Sequence, residues 1–335
     1  MNEKMRVLVT GGAGYVGSHV VRRLVAVGHR PVVVDNLSAG HRAAVGDVPL
    51  VVADFADGET LARLGEEQAF DAVVHMAAHA EVGESVAHPE RYYRNNVIRS
   101  LGLLEWVRQA GWGGIVFSSS AAVYGEPEDV PIREAHPTRP TNPYGATKLV
   151  FEWALESYRS AYRLPYVSLR YFNAAGADPA GDIGEDHGSG ESHLIPRVLG
   201  AAAREADPIR IYGTDYPTSD GTPVRDYVHV VDLAEAHVLA LQSIASGRSG
   251  IYNLGNGEGF SVREVVSVCA RVVGKALPVE AAARRAGDPA VLVASSDRAR
   301  AELEWKPRFT SLDSIVETAW KWHRSHPGGF GRARG

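Results

Sequence analysis

Met5–Gly17 reads MRVLVTGGAGYVG: a short apolar run, Val7–Val9, runs into a turn that carries Gly11, Gly14 and Gly17. An apolar helical pattern follows through Val16, Val20, Val21, Leu24 and Val25. In the order strand, glycine turn, helix, such a turn points to dinucleotide binding. Glycine tolerates positive backbone angles and lets a diphosphate approach the main chain. The helix start adds unpaired N–H groups and the positive end of a dipole. The spacing is G-x-x-G-x-x-G.

The next apolar run, Pro31–Asp35, predicts a second strand ending in an acid 18 residues after Gly17. A carboxylate there accepts hydrogen bonds from ribose hydroxyls. It would repel the extra phosphate of NADP, and Asn36-Leu37-Ser38 offers no arginine to reverse that, so the expected cofactor is NAD. A strand-end cap is the plainer reading of Asp35, but it leaves the placement unexplained.

Composition narrows the class. A chain of 335 residues, 45% hydrophobic, can bury one large α/β domain and a smaller lobe. A formal net charge of −5 argues against a nucleic-acid or anionic-membrane surface. Cys269, the single cysteine, allows no internal disulfide, as in a reducing compartment. No long apolar segment reads as a signal peptide or membrane span, and the expected location is the cytoplasm.

Asp71–Met76, Gly114–Ser118 and Tyr166–Tyr171 read as strands, and Pro89–Ala110 and Pro143–Tyr162 as long helices. This alternation predicts a doubly wound parallel sheet with ligands beyond the carboxyl ends of its strands. Asp54, Met76-Ala77-Ala78, Ser118–Ser120 and Tyr171–Asn173 fall at such ends. The expected organisation is a cofactor-binding domain over 1–173 with returning elements near 226–255, a substrate lobe over 174–325, and a flexible tail over 326–335.

Pro143 is a natural first helical residue, so Tyr144 and Lys148 would lie one turn apart on one face. A lysine ammonium and a positive nicotinamide ring both favour a tyrosine phenolate, which can then act as a general base. A Tyr and a Lys at this interval also arise by chance on any helix. The serines ending the preceding strand, which could bond the same substrate hydroxyl, weigh against chance. His75 and His79 have a zinc-like interval but no further ligand cluster, and no metal is expected.

GGAGYVG, Asp35-Asn36-Leu37, SSSAAVYG, Tyr144–Lys148 and RYFN (Arg170–Asn173) resemble the extended short-chain dehydrogenase/reductase superfamily, whose sheet is of the Rossmann type. VGESV (82–86), YYRNNV (92–97), GDIGEDH (181–187), IYGTDYPTSDGTPVRDYVHV (211–230), IYNLGNG (251–257) and RRAGDPA (284–290) are similar to the UDP-glucose 4-epimerase family within it. These motifs cover nearly the whole chain. The resemblance implies that Tyr144 is the base, tuned by Lys148, and that Ser120 binds the sugar hydroxyl. It implies that Gly11, Gly14, Tyr15, Val16 and Gly17 cradle the NAD diphosphate. Asp35 and Asn36 would serve the ribose, and Asp54 and Phe55 the adenine. Met76, Ala77, Ala78, Asn95 and Tyr171 would line the cofactor side. Asn173, His193 and Leu194 would contact the UDP-sugar, with Tyr212 near the uracil, Arg225 and Arg285 on the diphosphate and Asp288 on its ribose. A homodimer through paired helices is also implied.

Three positions depart from the family pattern. Ala80 stands where many members have a lysine, His193 replaces an asparagine, and Leu292 occupies the position that gates room for an N-acetyl group. The implied reaction interconverts UDP-galactose and UDP-glucose through a 4-keto intermediate. Alternatives are a UDP-glucuronate or UDP-pentose 4-epimerase, a sugar-nucleotide 4,6-dehydratase, and a non-catalytic NAD-binding regulator. Ala121-Ala122 replace the Asp-Glu pair a dehydratase uses, and the intact Ser120, Tyr144 and Lys148 argue against a pure sensor.

Overall fold

A computed structural model of the chain describes residues 4–67, 69–204, 208–284 and 288–331. Its strands are β1 (Arg6–Thr10), β2 (Arg30–Asp35), β3 (Leu50–Val52), β4 (Ala72–His75), β5 (Ile115–Ser120), β6 (Tyr166–Tyr171), β7 (Asn173–Ala175), β8 (Ile209–Tyr212), β9 (Val224–His229), β10 (Gly250–Leu254), β11 (Gly259–Ser261), β12 (Val279–Ala282) and β13 (Val291–Leu292).

Seven of them form one sheet in the order β10-β6-β5-β4-β1-β2-β3, with every neighbouring pair parallel. Valines on β1, β2 and β4 stack in register, Val9 beside both Val33 and Val74. Their unbroken apolar runs are what a sheet covered on both faces requires. On one face Val7 and Val9 pack with Val20 and Leu24 of helix Tyr15–Ala26 and with Leu233 and Leu241 of helix Val230–Ala245. On the other, Leu8 and Val73 pack with Leu104 and Val107 of helix Ser100–Gln109 and with Phe151 and Leu155 of helix Pro143–Tyr162. The doubly wound expectation is met. From β1 the chain runs outward through β2 and β3, then returns to β4 on the other side. The crevice between the ends of β1 and β4 is therefore the topological switch point.

The smaller lobe centres on β9, which pairs with β7, β11 and β13; β8 pairs with β12. Helices Leu194–Arg204, Val262–Val273 and Leu312–Ser325 bury Leu199, Val265 and Ile315 in a core of their own. The chain rejoins the main sheet through helix Val230–Ala245 and then β10 against β6.

Two local features differ from the sequence reading. The expected helix Pro89–Ala110 is interrupted by a wider π turn over Tyr93–Arg99. A 3.6-residue pattern does not register such a bulge, which often marks a functional site. The segment after Ser325, expected to fray, stays docked through Gly331. Phe330 stacks on His41 at 5.0 Å, leans on Trp322 at 4.7 Å, and its amide donates to Asp186 Oδ2 at 2.8 Å.

Candidate active site

The switch point is very tight. Gly11 adopts φ +73°, and a Cβ there would lie 2.6 Å from the backbone nitrogen of Ala77. The amides of Met76 and Ala77 both donate to the Thr10 carbonyl, which draws the end of β4 against the glycine turn. Helix Tyr15–Ala26 begins at Gly14 with no side-chain cap and no acid in its first turn, so its leading N–H groups face the crevice uncompensated. Val16 packs against the core, and the Tyr15 hydroxyl donates to the Gly176 carbonyl at 2.6 Å, linking the turn to the smaller lobe.

Asp35 is buried, and its carboxylate accepts from the amides of Ala13 and Leu37 at 3.0 and 2.8 Å. Those bonds orient it beside the glycine turn and leave further lone pairs for hydroxyl donors. Asn36 is exposed and caps Ser38. Asp54 is paired with Arg99 at 2.6 Å, and the Phe55 ring is sunk in the core beside His75, so Phe55 can offer an adenine only its backbone. Asn95, half-buried on the π turn, donates to Asn96.

Next along the sheet, the end of β5 faces the start of helix Pro143–Tyr162. Asn142 caps that helix through the Gly145 amide at 2.9 Å, with Pro143 in its first turn. Gly145 permits the approach, since a Cβ there would lie 2.3 Å from the Ala122 carbonyl oxygen. Tyr144 and Lys148 thus meet the serines. The Ser120 side chain stands near enough to Tyr144 to pull its pKa down, and the Lys148 ammonium donates to the Ser118 carbonyl at 2.7 Å. Burial raises Tyr144 above the usual tyrosine range, against the opposing pull of Ser120. Burial also pulls Lys148 down to about 7. The lowering of Tyr144 expected from Lys148 is not seen in the protein on its own, because the ammonium lies over the Phe117 ring at 4.9 Å and 5.8 Å from the Tyr144 ring. Burial wins there.

Beyond lies the lobe. Asn173 donates to the Asp226 carbonyl at 2.9 Å, Leu194 opens its helix, and Tyr212 ends β8. Arg225 and Asp288, expected to hold separate parts of a nucleotide, are ion-paired to each other, and Arg225 also donates to the Val224 carbonyl at 2.8 Å. Arg285 lies outside the described residues. Leu292, beside Arg225 in register, packs on the cluster containing Tyr124 and Phe172.

The family model for the NAD-dependent epimerase/dehydratase family matches residues 7–255, the whole main sheet. The chain belongs to that family. It is 52% identical over 327 residues to the UDP-glucose 4-epimerase of Halalkalibacterium halodurans, covering 97% of this chain and 98% of the relative. The crystal structure of the Brucella ovis UDP-glucose 4-epimerase in complex with NAD superposes with a TM-score of 0.91 at 47% identity, covering 94% of this chain and 97% of that one. The Stenotrophomonas maltophila enzyme, solved with NAD and formylated UDP-arabinopyranose, gives 0.92 at 41%, covering 96% and 99%.

Asn96, and the cluster that Glu185, His187 and Glu191 form with His193, were not singled out in the sequence. Asn96, buried on the π turn, binds the backbone of His79 through both amide atoms and donates to Thr147 on the long helix. Glu185, His187, Glu191 and His193 bring their ligand atoms within 4.8 Å of one another. Against the cost of burial, the two histidines hold Glu185 down to about 2, and Glu185 carries His193 up to about 9. The repeated His and Glu in GEDHGSGESH were the available signal. His75, by contrast, is buried, tied to Thr10 and Ser100, and pushed down to about 3.

Proposed function

We propose that the chain is a UDP-glucose 4-epimerase, converting UDP-galactose to UDP-glucose and back through a 4-keto intermediate with tightly held NAD. The convergence of Ser120, Tyr144 and Lys148 beside the Gly11 turn carries this reading. The turn, the bare helix start and Asp35 fit a dinucleotide. Gly11, Gly14, Tyr15, Val16 and Gly17 would hold its diphosphate, Asp35 and Asn36 its adenosine ribose, and Asp54 with the Phe55 backbone its adenine. Met76, Ala77, Ala78, Asn95 and Tyr171 would line its nicotinamide half. When bound, NAD supplies the hydride acceptor and donor for carbon 4 of the sugar.

The residues handle the proton and the anchor. Tyr144 takes the proton from the 4-hydroxyl and later returns it, while Ser120 orients that hydroxyl. Tyr144 starts as a phenol raised by burial, so the phenolate depends on positive charge: the Lys148 ammonium and the oxidised nicotinamide. Arg225 grips the substrate diphosphate with its planar fork, with Arg285 as the second arm and Asp288 turning to the ribose. Asn173, His193, Leu194 and Tyr212 complete the UDP-sugar contacts. Held by its diphosphate, the hexose can present either face, and the reaction is redox-neutral.

Ala121 and Ala122 form a short 3-10 turn where a 4,6-dehydratase needs an acid pair, which disfavours elimination of water. A UDP-pentose 4-epimerase is the second reading, favoured by the arabinopyranose nucleotide in the S. maltophila complex. The assembly proposed is a homodimer. Leu104, Val107 and Leu155 are core residues, but Trp153 and Tyr162 on the long helix and Ile98 on the π turn are exposed apolar side chains. No helix among the described residues is long and apolar enough to cross a membrane. The cytoplasm is the proposed location.

The test is incubation with UDP-galactose without added cofactor, then separation of the UDP-sugars. Conversion to UDP-glucose is expected, and Tyr144→Phe is expected to abolish it while NAD stays bound. Conversion of UDP-pentose alone would favour the second reading. Gel filtration at the monomer mass would overturn the dimer.

A further inference from the structure

Below the Tyr144 and Lys148 side chains lies a buried ion pair that the proposed mechanism does not use. Glu152 follows Lys148 by one helical turn, as Lys148 follows Tyr144. Three successive serines of β5 meet these three groups. The Ser120 side chain stands beside Tyr144, the Ser118 carbonyl accepts from Lys148, and the Ser119 hydroxyl donates to Glu152 at 2.6 Å. Arg170, on the neighbouring strand β6, clamps the same carboxylate with its Nε at 2.9 Å and Nη2 at 2.5 Å. Its remaining arm donates to the Tyr124 hydroxyl at 2.9 Å, which donates in turn to Asn253 on β10. The Glu152 and Arg170 side chains are only 2% and 4% exposed.

Two charges removed from water this completely are costly, and a pair of apolar residues would often stabilise a fold as well or better. The pair therefore calls for a reason beyond stability, and Lys148 provides it. Lys148 is itself buried, and burial disfavours its ammonium. The groups that face it, or face the residues it touches, from the elements packed around it are these. From β5 come the Ser118 carbonyl and the Phe117 ring. From β4 comes His75, neutral and tied to Thr10 and Ser100. From β6 come Arg170 and Tyr171, and from helix Val230–Ala245 comes His237, which burial keeps neutral and which bonds the Ser118 hydroxyl. On its own helix stand Tyr144 and Glu152. Among these groups Glu152 is the anion, and it opposes the loss of charge on Lys148.

We propose that Glu152 is a positioning residue for the reaction: its carboxylate, fixed by Ser119 and Arg170, keeps Lys148 an ammonium and locks the Tyr144–Lys148 face of the long helix against β5 and β6. The inference rests on the roles given above to Tyr144 and Lys148.

The test needs a readout of Lys148 charge separate from turnover. The lysines are Lys4, Lys148, Lys275, Lys306 and Lys321, few enough for the Cε resonances of lysine-labelled, NAD-loaded enzyme to be titrated by NMR, with Lys148→Met for assignment. Glu152→Gln leaves Arg170 unpaired, and the Lys148 titration is expected to fall by about one pH unit or more. Glu152→Gln with Arg170→Met removes both charges, keeps the volume, and is expected to fold and show a smaller fall in the same direction. Glu152→Asp keeps the charge and is expected to restore the wild-type titration. In turnover of UDP-galactose, the alkaline limb of the kcat profile should move with the Lys148 titration while KM stays near wild type. A folded double variant with wild-type Lys148 titration and kcat profile would overturn the proposal and leave Glu152 a packing residue. Retained turnover in Tyr144→Phe would instead overturn the underlying mechanism, a failure the NMR titration separates from this one.

Discussion

Replacing Gly11 or Gly14 with alanine separates the backbone needs of the glycine turn from its ligand role. Gly11 sits at φ +73°, which costs an alanine about 1–2 kcal/mol. Its Cβ would also meet the Ala77 nitrogen at 2.6 Å and its Cα at 2.7 Å, both backbone atoms at the end of β4. Parting two strand ends to relieve that overlap costs about 1–3 kcal/mol more. Together the loss is roughly 2–5 kcal/mol, a fall in melting temperature of about 4–10 °C at about 2 °C per kcal/mol. Gly14 differs. Its φ of −76° and ψ of 176° suit any residue, and a Cβ there meets only the Gly11 oxygen, at 3.4 Å. Gly14→Ala should therefore melt within about 2 °C of wild type. If the turn holds a diphosphate, however, that Cβ stands in its approach to the helix start, and bound NAD should drop. The assay is NAD released per chain by acid precipitation and quantified by chromatography, beside a thermal melt with saturating NAD and without it. Stoichiometric NAD and wild-type turnover in Gly14→Ala would refute the placement of the diphosphate. An undisturbed melt in Gly11→Ala would refute the steric argument at the switch point.

Arg225→Ala should weaken UDP binding about ten- to a hundredfold by titration calorimetry, the worth of a lost charge-assisted contact. Asp288→Asn, which frees Arg225 from its partner, should weaken it less, and equal losses would count against the division of roles. The Glu185–His193 pair makes stability depend on pH in a defined window. Glu185 moves from 4.5 down to about 2, so its contribution is present above 4.5 and lost as pH falls toward 2. His193 moves from 6.5 up to about 9, so its contribution is present below 6.5 and lost as pH rises toward 9. Melts of wild type and Glu185→Gln should therefore converge between pH 6.5 and 9, and parallel curves would sink the assignment.

Much of the fold was legible in the sequence because it rests on local rules. The valine runs of β1, β2 and β4, the glycine turn and the Pro143 start each express a short-range preference, and Tyr144 and Lys148 share a face by helix geometry alone. Asp35 was legible for the same reason: a strand end has a fixed place relative to the turn beside it. The smaller lobe gave weaker cues, since its strands are short and pair with partners far along the chain, as β9 does with β7 and β13.

The remaining properties are relations between distant segments, and no local pattern encodes them. Arg225 and Asp288 stand far apart in the sequence, and only the fold pairs them. Phe330 reads as part of a loose tail until His41 and Trp322 receive it. The protonation of Tyr144, Lys148 and His193 follows from burial and from neighbours brought by other strands and loops, so it exists only once the chain has folded. Glu152 makes the same point. In sequence it is one acid on a long helix, and its charge acquires a role when β5 and β6 place Ser119 and Arg170 around it, away from water.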